Sequence, residues 1–157
     1  MTNPPRKRGT AAETAVTRWL RDHGFPHADR QPLRGGRDQG DIDITAGLIA
    51  EVKNHRGSPG VGQPAPATLA EWLRQAETER INARADHCLL IVKRTGTADP
   101  GRWWVYLTLA DLLDLAGMPD RHPASGPERW ICTTLESAAA LMAAAGYGRA
   151  DDKDGAA

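Results

Sequence analysis

Two short charged and apolar segments, joined by a glycine turn, constrain the fold of this chain more than any other feature. Residues 41–45 alternate acid and isoleucine, a pattern typical of a half-buried β-strand, and residues 48–54 form a matching partner strand. Ala46 and Gly47 between them predict a tight turn. The two segments therefore predict a β-hairpin that brings acids on one strand beside charged residues on the other.

The spacing of three charged residues in this hairpin indicates a chemistry. Residues two apart on a strand point to the same face, about 6–7 Å from each other, so Glu51 and Lys53 should lie side by side. The neighbouring strand enters through Asp41, whose carboxylate can join them. Two acids bind a hard divalent cation, and an adjacent lysine can orient a nucleophile or stabilise developing charge. We therefore expect Asp41, Glu51 and the backbone carbonyl of Val52 to bind Mg²⁺ or Mn²⁺ in a metal-dependent phosphodiesterase.

Other interpretations of the same residues remain open. Glu51 and Lys53 can form an exposed ion pair, with Asp41 a turn residue. Asp43 competes with Asp41, because both project to one face of their strand. We favour Asp41 and keep Asp43 as an accessory candidate.

The two predicted helices nearest to the hairpin carry further polar candidates. Glu13 on the first helix can hold a second ion or a metal-bound water, or it can pair with Arg18 or Arg21. Gln75 and Glu79 lie four apart on the second helix and share a face, so one of them can reach the site. Both residues can equally well be ordinary polar side chains that are exposed to solvent on that helix.

The remaining pattern predicts an α/β sheet with helices on it. Predicted helices cover residues 10–23, 69–85, 109–116 and 135–145. Further predicted strands cover residues 27–33, 88–92, 103–107 and 130–133, the last as an edge strand. The apolar residues expected on the buried side of the second helix are Leu69, Trp72, Leu73, Ala76 and Ile81.

Composition narrows the class of protein. The chain has 157 residues, a size typical of one domain, and no apolar run approaches a membrane span. Cys88 and Cys132 are isolated, which indicates reduced thiols, and the basic N-terminus has no secretory pattern, so we expect a cytoplasmic protein. Residues 57–62 resemble a phosphate-binding glycine loop but lack its Lys-Ser/Thr, so we expect no nucleotide cofactor.

The distribution of charge weakly favours DNA as a partner. Residues 1–60 hold ten Lys and Arg against seven acids, although the whole chain is neutral. Lys93 and Arg94 close a predicted strand and can either contact phosphates or cap that strand. The basic residues expected to contact the DNA backbone are Arg6, Lys7, Arg8, Arg34, Arg37 and Lys93.

The motifs together resemble the PD-(D/E)xK nuclease superfamily, and within it the small Holliday-junction-resolvase-type endonucleases of archaea and phages. The resemblance depends on RKRGTAAETAVTRWL with Glu13, GDID with Asp41, and AEVKN with Glu51 and Lys53. The helix containing Gln75, then LLIVKR and WWVYL, follow in the same order. The resemblance covers residues 6–115.

The resemblance implies a restriction-endonuclease-like αβββαβ core, with a central mixed sheet flanked by helices and an extra C-terminal helix. The core would span residues 10–116 and an extension packed on it residues 117–148, with residues 1–9 a disordered basic arm and 149–157 a disordered tail. It also implies metal ligation by Asp41 and Glu51, a catalytic Lys53, and Glu13 as the acid of the first helix. Gly40 stands where the family often has a proline.

The sequence thus predicts a Mg²⁺- or Mn²⁺-dependent DNA endonuclease that hydrolyses phosphodiester bonds, with branched DNA as the leading substrate. As in resolvase relatives, we expect a homodimer acting in recombination or repair. The alternatives are a restriction- or repair-type nuclease on duplex or flap DNA, a non-catalytic DNA-binding module with the same fold, and a protein-interaction domain whose acids are solvated.

Overall fold

The structure is a computed structural model that describes residues 4–32, 39–55, 62–118 and 129–148. Its helices are α1 (Pro4–Asp22), α2 (Pro66–Ala83), α3 (Leu109–Leu115) and α4 (Leu135–Ala144), with a 3₁₀ turn at Pro100–Arg102. Its strands are β1 (Asp29–Arg30), β2 (Ile42–Thr45), β3 (Leu48–Lys53), β4 (His87–Val92), β5 (Trp104–Thr108) and β6 (Trp130–Thr134).

All six strands form one mixed sheet in the order β1-β2-β3-β4-β5-β6. Strands β3 and β4 are parallel, and the other neighbouring pairs are antiparallel. A parallel pair needs a long crossover, which α2 supplies. The prediction of an α/β protein with a mixed sheet flanked by helices is confirmed, and the elements up to β4 follow in the order α-β-β-β-α-β.

The helices cover the two faces of the sheet with separate apolar clusters. Side chains of α1 and α4, among them Val16, Leu20 and Leu135, pack with the sheet residues Ile42 and Ala50 in the largest cluster. On the opposite face, α2 packs against β4 and β5 in a second cluster. Every residue of β4 is buried, as expected for a strand covered on both faces.

The predicted hairpin is confirmed, and its turn is fixed by contacts beyond the hairpin itself. Gly47 has a φ of 80°, and a Cβ at this position would collide with the side chain of Asp86. The carbonyl of Gly47 accepts hydrogen bonds from the amides of Asp86 (2.7 Å) and His87 (3.1 Å). The turn therefore anchors the start of β4, and this places β4 beside β3.

Several details differ from the sequence predictions. Helix α1 begins at Pro4, so residues 4–9 are helical and not part of a disordered arm; Pro4 and Pro5 at the first turn suit a helix start. On α2, Ile81 is 60% exposed and Glu79 is only 5% exposed. The predicted apolar face of α2 is therefore wrong at its C-terminal end, where the helix turns Glu79 toward the sheet.

The C-terminal part of the chain belongs to the same sheet and the same core. Strand β6 pairs with β5 along its whole length and forms the predicted edge strand. Helix α4 contributes Leu135, Ala138 and Met142 to the largest apolar cluster. Residues 117–148, expected as an extension packed on the core, thus complete the sheet where the structure describes them.

Several residues named in the sequence predictions lie outside the ranges that the structure describes. Arg34 and Arg37, residues 119–128, the tail 149–157, and the side chains of Arg6, Lys7 and Arg8 lie outside the described residues. Within the described ranges, the helices are too short or too polar to cross a membrane.

Candidate functional site

The structure brings the three predicted charged residues together where β3 ends. Along β3, Ile49, Glu51 and Lys53 alternate toward the face covered by α2, whereas Leu48, Ala50 and Val52 face α1. The ammonium of Lys53 lies 2.6 Å from Oε1 of Glu51. Both side chains are mostly buried, so this is not the exposed ion pair of the alternative interpretation.

Asp41 reaches the pair because the chain turns sharply before β2. Gly40 has a φ of 90°, which a proline ring cannot adopt, so a proline here would require a different backbone. The amide of Asp41 donates to the carbonyl of Ala50 (3.0 Å), and Oδ2 of Asp41 accepts from the amide of Val52 (2.8 Å). The carboxylate of Asp41 thus takes the place of a strand carbonyl and is fixed next to Glu51.

The carboxyl groups of Asp41 and Glu51 are electrostatically coupled. Burial and then the charge of Glu51 raise the pKa of Asp41 from 3.8 to about 7, although the hydrogen bond from the Val52 amide acts to lower this pKa. Burial also raises the pKa of Glu51 from 4.5 to about 7, against the opposing effect of Lys53. The pair therefore retains protons near neutral pH, and a divalent cation that neutralised both groups would displace those protons.

Lys53 remains an ammonium in this environment. Burial by itself would lower the pKa of Lys53, but the carboxylates of Glu51, Glu79 and Asp41 outweigh burial, and the pKa is raised. Oε1 of Gln75 accepts a second hydrogen bond from the lysine at 3.2 Å. A protonated, doubly held lysine suits stabilisation of negative charge better than the role of a free base.

Helix α2 contributes both of its candidate residues to this cluster. Gln75 contacts Lys53, and Glu79 is buried one turn further along, where it raises the pKa of Glu51 through its charge and a side-chain hydrogen bond. Sequence reasoning found their shared face but expected only one contact with the site. Their spacing of four, which puts both on one face of α2, is the signal that includes Glu79 as well as Gln75.

Glu13 lies at the margin of the cluster with a partner that the sequence did not indicate. Its Oε2 accepts hydrogen bonds from Nε (3.1 Å) and a terminal nitrogen (2.8 Å) of Arg30 on β1. Neither Arg18 nor Arg21 forms this pair, and Arg21 pairs with Asp29 instead. The charge of Glu13 still raises the pKa of Asp41, so the two carboxylates are electrostatically coupled.

Two further candidates lie apart from the central carboxylates. Asp43 is an exposed residue, but the partial burial of its carboxyl group and then the charge of Asp29 raise its pKa. Lys93 follows β4, where its amide donates to the carbonyl of Lys53 (2.9 Å) and its ammonium lies 5.5 Å from the ring centre of Trp103. The backbone of Lys93 is therefore next to Lys53, but its side chain lies on the opposite face of the sheet, beside Trp103 of the largest apolar cluster.

The donor chemistry fits a hard divalent cation bound by few protein ligands. Among the residues that the structure describes, no group of three Asp, Glu, His or Cys side chains is arranged to hold a metal ion. Mg²⁺ commonly uses one or two carboxylates and takes its other ligands from water and substrate phosphate. Asp41 and Glu51, two carboxyl groups whose pKa values burial raises to about 7, provide such a pair of ligands.

Comparison of this chain with models of known protein families, with curated proteins and with solved structures finds no match. Function must therefore be inferred from the geometry of the site itself.

Proposed function

We propose that this protein is a metal-dependent DNA endonuclease of the PD-(D/E)xK type, acting on branched DNA. The observation that carries the proposal is the convergence of Asp41, Glu51 and Lys53 at the end of β3, with Asp41 bonded to the Val52 amide. The element order α-β-β-β-α-β supports it, because the superfamily is expected to have this core. The raised pKa of both carboxyl groups supports a site that gains a cation.

In this mechanism Asp41 and Glu51 would hold Mg²⁺ or Mn²⁺, and the carbonyl of Val52 would be the candidate for a third oxygen ligand. When bound, the cation supplies Lewis acidity toward the scissile phosphate and the attacking water. Val52 donates its amide to Asp41 and keeps that carboxylate oriented. Lys53, held by Glu51 and Gln75, places its positive charge where negative charge develops on the phosphate. Hydrolysis leaves a 5′-phosphate in this class of nuclease.

The proposal extends to the DNA-binding surface and the assembly. Lys93, together with Arg6, Lys7, Arg8, Arg34 and Arg37, would contact backbone phosphates, which gives salt-sensitive binding with little sequence preference. A homodimer would place two such sites on two strands of a junction.

The test is cleavage of labelled four-way junction, flap and linear duplex DNA in Mg²⁺ or in EDTA. We expect Mg²⁺-dependent cleavage by the unaltered protein and losses of about 100-fold or more for Lys53→Ala and Asp41→Asn, by analogy with the loss of one preorganised charge-stabilising group. DNA binding in Ca²⁺ should change little. Asp43→Asn is the matched control, because it removes an exposed aspartate two residues along the chain, on β2, and should keep cleavage within about twofold.

Each contrary result has a definite meaning. Cleavage in EDTA, or equal cleavage by the parent and the Asp41→Asn variant, would refute the assigned roles. DNA binding without Mg²⁺-dependent cleavage of any substrate would instead identify a non-catalytic DNA-binding module. Cleavage of flap or duplex DNA but not of the junction would select the restriction- or repair-type alternative.

A further inference from the structure

Aromatic rings and cations lie beside Lys53 on the face of the sheet covered by α2. Trp72 on α2 and Trp104 on β5 are both half-buried and pack on the apolar cluster beneath them. The ring of Trp72 lies 6.0 Å from the ammonium of Lys53, and the ring of His55 meets it edge-on at 5.5 Å. The guanidinium of Arg94 lies 4.3 Å from the ring centre of Trp104.

The register of the sheet places Trp104 in the same row as Lys53. Lys53 pairs with Val92 across the parallel strands, and Val92 pairs with Trp104 across the antiparallel ones. Residues paired in this way project to one face, and neighbouring strands lie about 4.8 Å apart. The backbone of Trp104 is therefore roughly 10 Å from that of Lys53, two strands away.

The ring of Trp104 is held in a fixed orientation. Its Nε1 donates a hydrogen bond to the carbonyl of Gly62 at 3.1 Å, and Arg94 lies against it. Indole and guanidinium planes are the surfaces on which unpaired nucleobases stack, and the adjacent cations attract the connecting phosphates. A phosphate at Lys53 would thus have aromatic and cationic surfaces on two sides.

We propose that His55, Trp72, Arg94 and Trp104 form a stacking platform for unpaired nucleobases of single-stranded DNA. The inference rests on the proposed function, because Lys53 marks the phosphate to be cut. It favours DNA with a single-stranded arm next to that phosphate, such as a flap, and thus the repair-type substrate over an intact four-way junction. Bases in a continuous duplex are already stacked on their neighbours and cannot use the platform without unstacking.

The experiment measures binding in Ca²⁺, without cleavage, of a flap, a linear duplex, and the same flap with abasic positions in its first unpaired nucleotides. Stacking contributes about 1–3 kcal/mol per base, so Trp104→Leu and Trp72→Leu should weaken flap binding by about 5- to 150-fold. Duplex binding should stay within about twofold, and Trp104→Phe should keep most of the flap affinity. Unaltered protein should bind the abasic flap about as weakly as the leucine variants bind the intact flap.

Trp130→Leu is the matched control. Trp130 is also half-buried in the same apolar cluster, but it pairs with Thr108 at the opposite end of β5 from Trp104. Its replacement should therefore test loss of packing without loss of the platform. The abasic flap needs no variant and tests the inference even if a leucine variant fails to fold.

The outcomes separate this inference from the proposed function. Equal affinity of the unaltered protein for intact and abasic flaps would overturn the platform, as would flap binding that none of the tryptophan variants changes. Such a result together with Mg²⁺-dependent cleavage would leave the nuclease in place. Flap binding that is weakened by abasic positions, without Mg²⁺-dependent cleavage of any of the substrates, would support the platform and refute the proposed nuclease activity.

Discussion

Asp41 has a structural and a chemical role in the same carboxylate. Its Oδ2 accepts a hydrogen bond from the amide of Val52, and its charge is coupled to that of Glu51. Burial next to Glu51 disfavours the ionised form, so the folded protein holds this residue at a cost in free energy. Functional sites commonly carry such a cost, because binding a cation or substrate is what relieves it.

Replacing this carboxylate by an amide should therefore stabilise the metal-free protein at alkaline pH. Asp41→Asn keeps an oxygen for the Val52 amide and removes the repulsion with Glu51, so we expect the free energy of unfolding at pH 8 to rise by about 1–2 kcal/mol. At pH 4, where Asp41 is protonated when folded, the difference should shrink. Urea unfolding at both pH values measures this.

The matched control is again Asp43→Asn. Asp43 is exposed and its stability effect should stay within about 0.5 kcal/mol at either pH. An Asp41→Asn variant that is less stable than the parent at pH 8 would show that the charge itself, and not only an oxygen acceptor, holds the turn.

At the scale of elements, α3 is fixed to β4 by a capping arrangement that includes a buried histidine. Thr108 and Asp111 form a reciprocal capping box: the Thr108 hydroxyl accepts from the Asp111 amide (3.1 Å), and Asp111 accepts from the Thr108 amide and hydroxyl. The other oxygen of Asp111 lies 2.9 Å from Nδ1 of His87. The short helix thereby gains an attachment to the start of β4.

Thr108→Val should destabilise the fold through this attachment. Loss of an N-cap hydroxyl costs about 1–2 kcal/mol, and here it also removes a bond that lowers the pKa of Asp111. Burial tends to raise that pKa, but His87 and Thr108 outweigh burial and lower it. The stability from Asp111 is thus present above its ordinary pKa of 3.8 and is lost as pH falls through the lowered value.

Thermal unfolding at pH 7 and pH 3 measures the effect of this substitution. The control is Thr78→Val on α2, an exposed position whose hydroxyl bonds only to the backbone of its own helix at Arg74 within the described structure. We expect its change to stay within about 0.5 kcal/mol. If both variants unfold like the parent, the capping box contributes little to the attachment of α3.

The element pattern also shows where sequence reasoning succeeded. The boundaries of β3 and β4 agree with the prediction to within a residue at each end, because alternation and a continuous apolar run are strong signals. The face of α2 was harder to predict. Glu79 is buried and Ile81 exposed, because the packing of α2 on the sheet places Glu79 beside Glu51.

At the scale of the whole molecule, protons and a divalent cation should compete at the site. Asp41 and Glu51 each have a raised pKa of about 7, so the folded state keeps protons that the unfolded state loses from about pH 4 upward. Their contribution to stability is fully present below their unfolded pKa values and is lost as pH rises through about 7. A cation that binds the ionised pair should restore stability on the alkaline side.

We therefore expect Mg²⁺ to stabilise the protein at pH 8 but only slightly at pH 5. A concentration of about 100 times Kd adds about 2.7 kcal/mol to the free energy of unfolding. The measurement is the melting temperature with Mg²⁺ or EDTA at both pH values, with Asp41→Asn as a variant that should lose the Mg²⁺ effect. Equal stabilisation of parent and variant would place the cation elsewhere in the molecule.

The pH dependence of cleavage should follow the same competition. Under the proposed function, the pH of half-maximal activity should decrease as the Mg²⁺ concentration rises, because the cation displaces protons from Asp41 and Glu51. A profile that does not move with Mg²⁺ would indicate that this pair does not bind the metal used in the reaction.

Strand periodicity and glycine at a turn depend only on near neighbours, so the hairpin, its turn and the common face of Glu51 and Lys53 could be derived from the residues alone. The pairing of Glu13 with Arg30, the burial of Glu79 against Glu51 and the position of Trp104 in the row of Lys53 became apparent only in the folded protein. Those contacts join residues far apart in the chain, and their geometry depends on strand order, register and helix packing.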